Sequence, residues 1–221
     1  ILPRHKRGIY VDVPRTFSEF EQKSDVIAKY LALPANKDRM LQALCRMLCV
    51  ACKLHRSGYC QGMNYIAASV LLNCVCETDP EETGDALEIK ACQLFCHLLT
   101  CQNIIDWFRE SQILSKELDK LNFILMHHVP TALATQYLDR SGFSTQVWAM
   151  EWFTTCCTVG APRELGLLVQ NMLLDGKETD VIFKVGAAMT AICQDKILQL
   201  KGICAISEGR ALIILFTFCI C

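Results

Sequence analysis

Apolar residues recur at three- and four-residue intervals along most of this chain, which is the pattern of helices that each bury one face. Leu41, Leu44, Cys45, Leu48, Cys49 and Cys52 form the first strong stripe, ending near His55 where Ser57-Gly58 predicts a helix exit. Met63 to Cys76 is apolar on nearly every face and predicts a central, buried helix. After the polar stretch Thr78–Gly84, Leu87, Ala91, Leu94, Phe95 and Leu98 form a third stripe, and Leu114, Leu118, Leu121 and Leu125 a fourth. Pro130 to Leu138 predicts a short helix closed by Ser141-Gly142. Trp148, Trp152 and Cys156 repeat every four residues and predict one shared face. Pro162 suits a first helical turn before Leu165, Leu168, Val169 and Met172, with Asp175-Gly176 as the exit, and Val181, Val185, Ala188 and Ile192 mark the next helix. Leu212–Phe218 is compatible with helix or strand, and period-two segments and internal repeats are otherwise absent. The expectation is an all-α domain of many orthogonally packed helices.

Composition narrows the function. With 221 residues, 52% hydrophobic and 20% charged, the chain can bury a sizeable core and is not a disordered polymer. Its 22 basic and 23 acidic side chains leave a net charge of −1, so it lacks the basic surface a nucleic acid demands. The one basic run is Arg4-His5-Lys6-Arg7, read as a solvated, frayed terminus rather than a site for anionic lipid or phosphate. The longest apolar run, Ala211–Cys221, is shorter than the roughly 18 residues needed to cross a bilayer, and no apolar signal core opens the chain. A soluble intracellular domain is expected.

The 15 cysteines are an odd number and fall mostly at apolar helix positions, which predicts buried free thiols in a reducing compartment. Cys45, Cys49 and Cys52 have the spacing of an iron–sulfur ligand set, but a helix stripe runs through them and no strand–helix alternation accompanies them, so core cysteines are expected. His127-His128 has no carboxylate or thiolate at ligand spacing, and no metal site is assigned.

Two segments do not reduce to core packing. In Ile9-Tyr10-Val11-Asp12-Val13-Pro14-Arg15-Thr16-Phe17, Pro14 predicts that Arg15 stands on irregular backbone, where Asp12 can hold its guanidinium; a surface salt bridge is the simpler alternative. In Ser57-Gly58-Tyr59-Cys60-Gln61-Gly62-Met63-Asn64, an amide sits between two glycines at the joint of two apolar helices, where the glycines serve either close approach or ordinary capping.

Together these segments resemble the paired signature of the TBC domain of Rab GTPase-activating proteins: Ile9-x-x-Asp12-x-x-Arg15, then Tyr59-x-Gln61. The strings DVPRTF and GYCQGMNYIAA are similar to that family's wording, as is the later Gly142, Trp148, Trp152-Phe153 segment, so that the likeness runs from Ile9 to about Ile192. The resemblance implies one all-helical TBC domain over 1–221, without the family's extreme N-terminal helix. It implies a GTPase activator rather than an enzyme in its own right, one that supplies residues in trans to a Rab in vesicle trafficking. Arg15 would be the arginine finger and Gln61 the glutamine finger, with Asp12 orienting Arg15 and Tyr59 and Asn64 bracing the loop of Gln61. An arginine contributes a permanent charge on a planar donor fork suited to phosphate oxygens, and a glutamine amide donates and accepts at once, as an oriented water requires. No cofactor of its own is implied, since GTP and Mg²⁺ belong to the partner. The implied location is cytoplasmic, with recruitment to endomembranes through the Rab, no nucleic-acid partner and no integral membrane segment.

The chain departs from the family at Val169-Gln170-Asn171, where an apolar-Trp-Asp triplet is usual and is expected to pack late helices together. The alternative function is a catalytically silent Rab-binding scaffold with the same fold. A purely structural helical protein, using Asp12 and Arg15 as a salt bridge, is a third.

Overall fold

The computed structural model describes residues 3–76, 84–128 and 145–192. The predicted helix from Pro130 to Leu138, the Trp148 side chain, and the Leu212–Phe218 stretch lie outside the described residues. Among the described residues the regular structure is helical, in two compact units, 1–109 and 110–221.

The first unit begins with α1 (Pro3–Glu21), which overturns two expectations. The basic run is helical from Pro3 onward, with His5 half-buried and Lys6 and Arg7 exposed. Arg15 is not on irregular backbone either, because α1 continues through Pro14. A mid-helix proline removes the N–H that would bond the carbonyl four residues earlier. Here that carbonyl belongs to Tyr10, and Tyr10 and Pro14 are both exposed, so water can serve it. The opposite face, Ile9, Val13, Phe17 and Phe20, is buried and holds the helix to the core on both sides of the proline.

Ser24 caps α2 (Asp25–Leu31), its hydroxyl accepting from the Ile27 N–H at 3.4 Å. Next comes α3 (Pro34–His55), with proline in its first turn. The cysteine series of the sequence lies on continuous α3, with Cys52 buried and Cys45 and Cys49 half-buried. Burial pushes the Cys52 thiol up to about 11, which keeps it protonated. Cysteine burial is not uniform, however, because Cys60 is exposed. The end of α3 also differs in detail from the expected glycine exit: Arg56 itself takes the left-handed conformation, φ 55°.

As its composition predicts, α4 (Met63–Cys76) is the centre of this unit, and Met63, Asn64 and every residue from Ile66 to Leu72 are buried. It packs against α1, α3 and α5 (Gly84–Thr100). A 3₁₀ turn, Cys101–Asn103, leads into α6 (Ile104–Arg109).

The second unit contains α7 (Ser111–His128), α8 (Thr145–Thr155), α9 (Arg163–Asp175) and α10 (Val181–Ile192), with α7 packed against α8 and α10. Trp152 is buried on α8, but the helix stops before Cys156, because Cys156 and Cys157 both take positive φ, 49° and 60°. Gly176 closes α9 at φ 68°, as its sequence predicts. The buried face of α10 is Ile182, Phe183, Gly186, Met189 and Thr190 together with Val181, while Ala188 and Ile192 are exposed. Nearly every residue of this segment is apolar, so spacing alone does not choose a side, and of the expected stripe only Val181 is fully buried. In the divergent triplet, Val169 and Gln170 are buried on α9 and Asn171 is exposed.

Candidate functional site

The segment joining α3 to α4, residues 56–62, is shaped by left-handed backbone at Arg56, Gly58 and Gly62, the last two at φ 75° and 109°. It carries Cys60 and Gln61 outward, both exposed. One stripe of α1, at positions 5, 8, 12 and 16, forms the bed on which this segment lies.

Tyr59 is held by three successive turns of that bed. Its backbone meets the His5 ring: Nδ1 is 3.2 Å from the Tyr59 nitrogen and 3.3 Å from its carbonyl oxygen. Its ring lies on Gly8, where an added Cβ would be 2.9 Å from Tyr59 Cδ1. Its hydroxyl donates to Asp12 Oδ2 at 2.6 Å. Burial, and then the bond to Asp12, push the phenol far above its usual range, so it remains a donor.

Asp12 is buried, yet its carboxylate is fully engaged, because the other oxygen, Oδ1, accepts from Arg15 Nη2. The Arg15 side chain is 55% exposed against 8% for Asp12, so the carboxylate fixes one edge of the guanidinium while the rest of the fork faces solvent. Pro14 does not disturb this pairing, since Asp12 and Arg15 are one helical turn apart.

Asn64, in the first turn of α4, completes the frame. Its Oδ1 accepts from the Gly62 N–H at 3.0 Å, and its Nδ2 donates to Thr16 Oγ1 at 2.9 Å. Thr16 in turn donates to the Asp12 carbonyl at 2.8 Å. The Tyr59 oxygen is 3.1 Å from Asn64 Oδ1, so the two halves of the frame meet at the phenol. Gln61 is therefore flanked by anchored backbone on both sides, at Tyr59 and at Gly62.

All five residues singled out in the sequence, Asp12, Arg15, Tyr59, Gln61 and Asn64, thus converge in one neighbourhood of the first unit. Three further members were not found by sequence reasoning: His5, Gly8 and Thr16. Thr16 had a visible signal, standing four residues after Asp12, but His5 and Gly8 meet the loop only across more than 50 residues of chain.

The Rab-GTPase-TBC domain family model matches residues 3–198, a span that includes every residue of this frame. The chain belongs to that family. Two TBC relatives from Caenorhabditis elegans are similar to it. Rab GTPase-activating protein tbc-11 is 26% identical over 147 residues, covering 65% of this chain and 14% of the relative. Growth hormone-regulated TBC protein 6 is 24% identical over 185 residues, covering 83% of this chain and 48% of the relative. The chain thus spans less than half the length of either curated relative. The all-helical architecture expected of a TBC domain is the one observed among the described residues, none of whose helices is long and apolar enough to cross a membrane.

Proposed function

We propose that this TBC domain accelerates GTP hydrolysis by a Rab-family GTPase, with Arg15 as arginine finger and Gln61 as glutamine finger. The observation that carries the reading is the hydrogen-bonded path from Arg15 through Asp12 and Thr16 to Asn64 and Gly62, with Tyr59 donating to the same Asp12 carboxylate, which ties two exposed, chemically suited side chains to one rigid frame. A lone salt bridge would give Arg15 a partner, but it would not explain why the same carboxylate also holds the loop of Gln61.

The chemistry follows from the side chains. Arg15 brings a fixed positive charge and free N–H donors to the oxygens of a phosphoryl group that gains charge as it is transferred. Asp12 pre-orders the guanidinium, which lowers the entropy lost when it inserts. Gln61 presents a carbonyl to take a hydrogen bond from the attacking water and an amide N–H to a neighbouring acceptor. GTP and Mg²⁺ belong to the partner, and the domain contributes side chains alone. Both compact units are read as one functional TBC domain that works at the cytoplasmic face of endomembranes through its Rab.

The test is single-turnover GTP hydrolysis across a panel of purified Rabs, with binding measured in parallel. Acceleration of at least one Rab, lost in Arg15→Ala and in Gln61→Ala, supports the reading. Binding without acceleration identifies a scaffold, and neither identifies a structural helical protein.

A further inference from the structure

Between the N-terminal turns of α1 and the Gln61 loop lies a contact that the two-finger scheme does not use. The His5 ring is half-buried, and Nδ1 reaches both polar atoms of the Tyr59 backbone, at 3.2 Å and 3.3 Å. One neutral tautomer accepts from the N–H and the other donates to the carbonyl, so either form grips the same residue. The ring also occupies the space beside Gly58, where an added Cβ would lie 2.5 Å from His5 Cε1. Backbone at 58 and 59 is therefore shaped by His5, and Gln61 follows two residues later.

The geometry points to His5 as a positioning residue for Gln61, acting through the Tyr59 backbone. This rests on the proposed activator function. The logic is one of leverage. Asp12 fixes the tip of the Tyr59 side chain and Asn64 fixes Gly62, but neither touches the main chain on the N-terminal side of Gln61. With that side loose, rotation about the backbone of Tyr59 and Cys60 would swing the amide while leaving the phenol in place. His5 removes that freedom. It does not touch Arg15, so its influence falls on the glutamine half of the site.

The experiment compares His5→Ala, His5→Asn and His5→Phe with wild type, using a Rab that the domain accelerates. Single-turnover rates are measured over a range of domain concentrations, with thermal unfolding on the same samples. Asparagine places a donor and an acceptor at nearly the position of Nδ1, whereas phenylalanine keeps the ring and loses the nitrogen. The expected result is a maximal rate lowered roughly tenfold in His5→Ala and His5→Phe, the scale of one lost positioning hydrogen bond. The half-saturating concentration should change little, because the docking surface is intact, and His5→Asn should recover most of the rate. Wild-type rates in His5→Ala overturn the assignment, as does full recovery with His5→Phe. A defect that follows the melting temperature, or that lies wholly in the half-saturating concentration, overturns it too. If wild type accelerates no Rab while the panel is active with another activator, the function reading itself fails and the assignment falls with it, an outcome distinct from an active wild type and an equally active His5→Ala.

Discussion

The Tyr59 hydroxyl and the Arg15 guanidinium occupy opposite oxygens of one buried carboxylate, that of Asp12. A single charge thus serves the helix that carries one candidate finger and the loop that carries the other. Removing either partner leaves the remaining one to hold a carboxylate that water reaches poorly, which is costly for a buried charge.

Tyr59→Phe isolates the loop half of this arrangement. The ring still covers Gly8, so the fold should persist, with stability lower by about 1–3 kcal/mol for an acceptor left short of one donor. The GTPase-activating rate should fall while Arg15 remains paired. Thermal unfolding and single-turnover hydrolysis together check this, and an unchanged rate would separate the Asp12–Tyr59 bond from activity.

Arg15→Lys tests the fork itself. Arg15 is exposed and contributes little to the core, but Arg15→Ala leaves the buried Asp12 carboxylate one donor short and should cost about 1–3 kcal/mol, whereas Arg15→Lys keeps a charged donor and should melt close to wild type. Lysine keeps the charge but loses the planar pair of donors, and the expected loss of stimulation is about 10³-fold or more for either variant. Near-normal hydrolysis with Arg15→Lys would argue against a finger.

Gln61→Ala and Leu71→Ala should behave as opposites. Leu71 is 1% exposed on the central helix, and truncating it should cost about 2–5 kcal/mol, with activity per folded molecule nearly intact. Gln61 is exposed, and its truncation should leave the melting temperature in place while removing most of the rate. A Rab lacking its own switch glutamine should stay sensitive to the wild-type domain. Loss of that sensitivity would reduce the scheme to Arg15 alone.

A pH effect is expected at His55, whose Nε2 lies 3.2 Å from the Cys96 carbonyl. Burial lowers its pKa most; the Cys96 carbonyl opposes this, and the Arg109 charge adds to the lowering. A depressed value means that the unfolded chain takes up the proton first as pH falls. Stability should therefore be fully present above the ordinary value near 6.5 and decline as pH drops through it towards the folded value. The group is half-exposed, so the effect should stay below about 1 kcal/mol. Urea midpoints at pH 7.5 and 5.5 should differ less in His55→Gln than in wild type.

What the sequence revealed and what it hid follow physical lines. The helices at 34–55, 63–76, 84–100 and 111–128 were legible because each has either a clear stripe or an apolar surface all round. Pro14 misled, because a local rule about proline was outweighed by Ile9, Val13, Phe17 and Phe20 docking as one face. Cys156 and Cys157 gave no sign of left-handed backbone, since neither is a residue type that favours it. Asp12 and Arg15 were readable as a pair because they are one turn apart. His5 was not, because nothing local in a basic run says that one of its members faces a loop more than 50 residues away.

Because α1 runs unbroken from the His5 contact to Arg15, it acts as a ruler for the site. Each residue of an α-helix advances about 1.5 Å and turns about 100°. One residue inserted between Gly8 and Asp12 would leave the bed under the Tyr59 backbone and ring where it is, yet rotate the carboxylate and guanidinium about a quarter-turn out of register. Two residues would carry them to the far side. Deletions and insertions in this short span should therefore be far more damaging than substitutions at its exposed positions, Tyr10 and Val11. The distance from the His5 contact with the Gln61 loop to Arg15 is written in the number of residues along one helix.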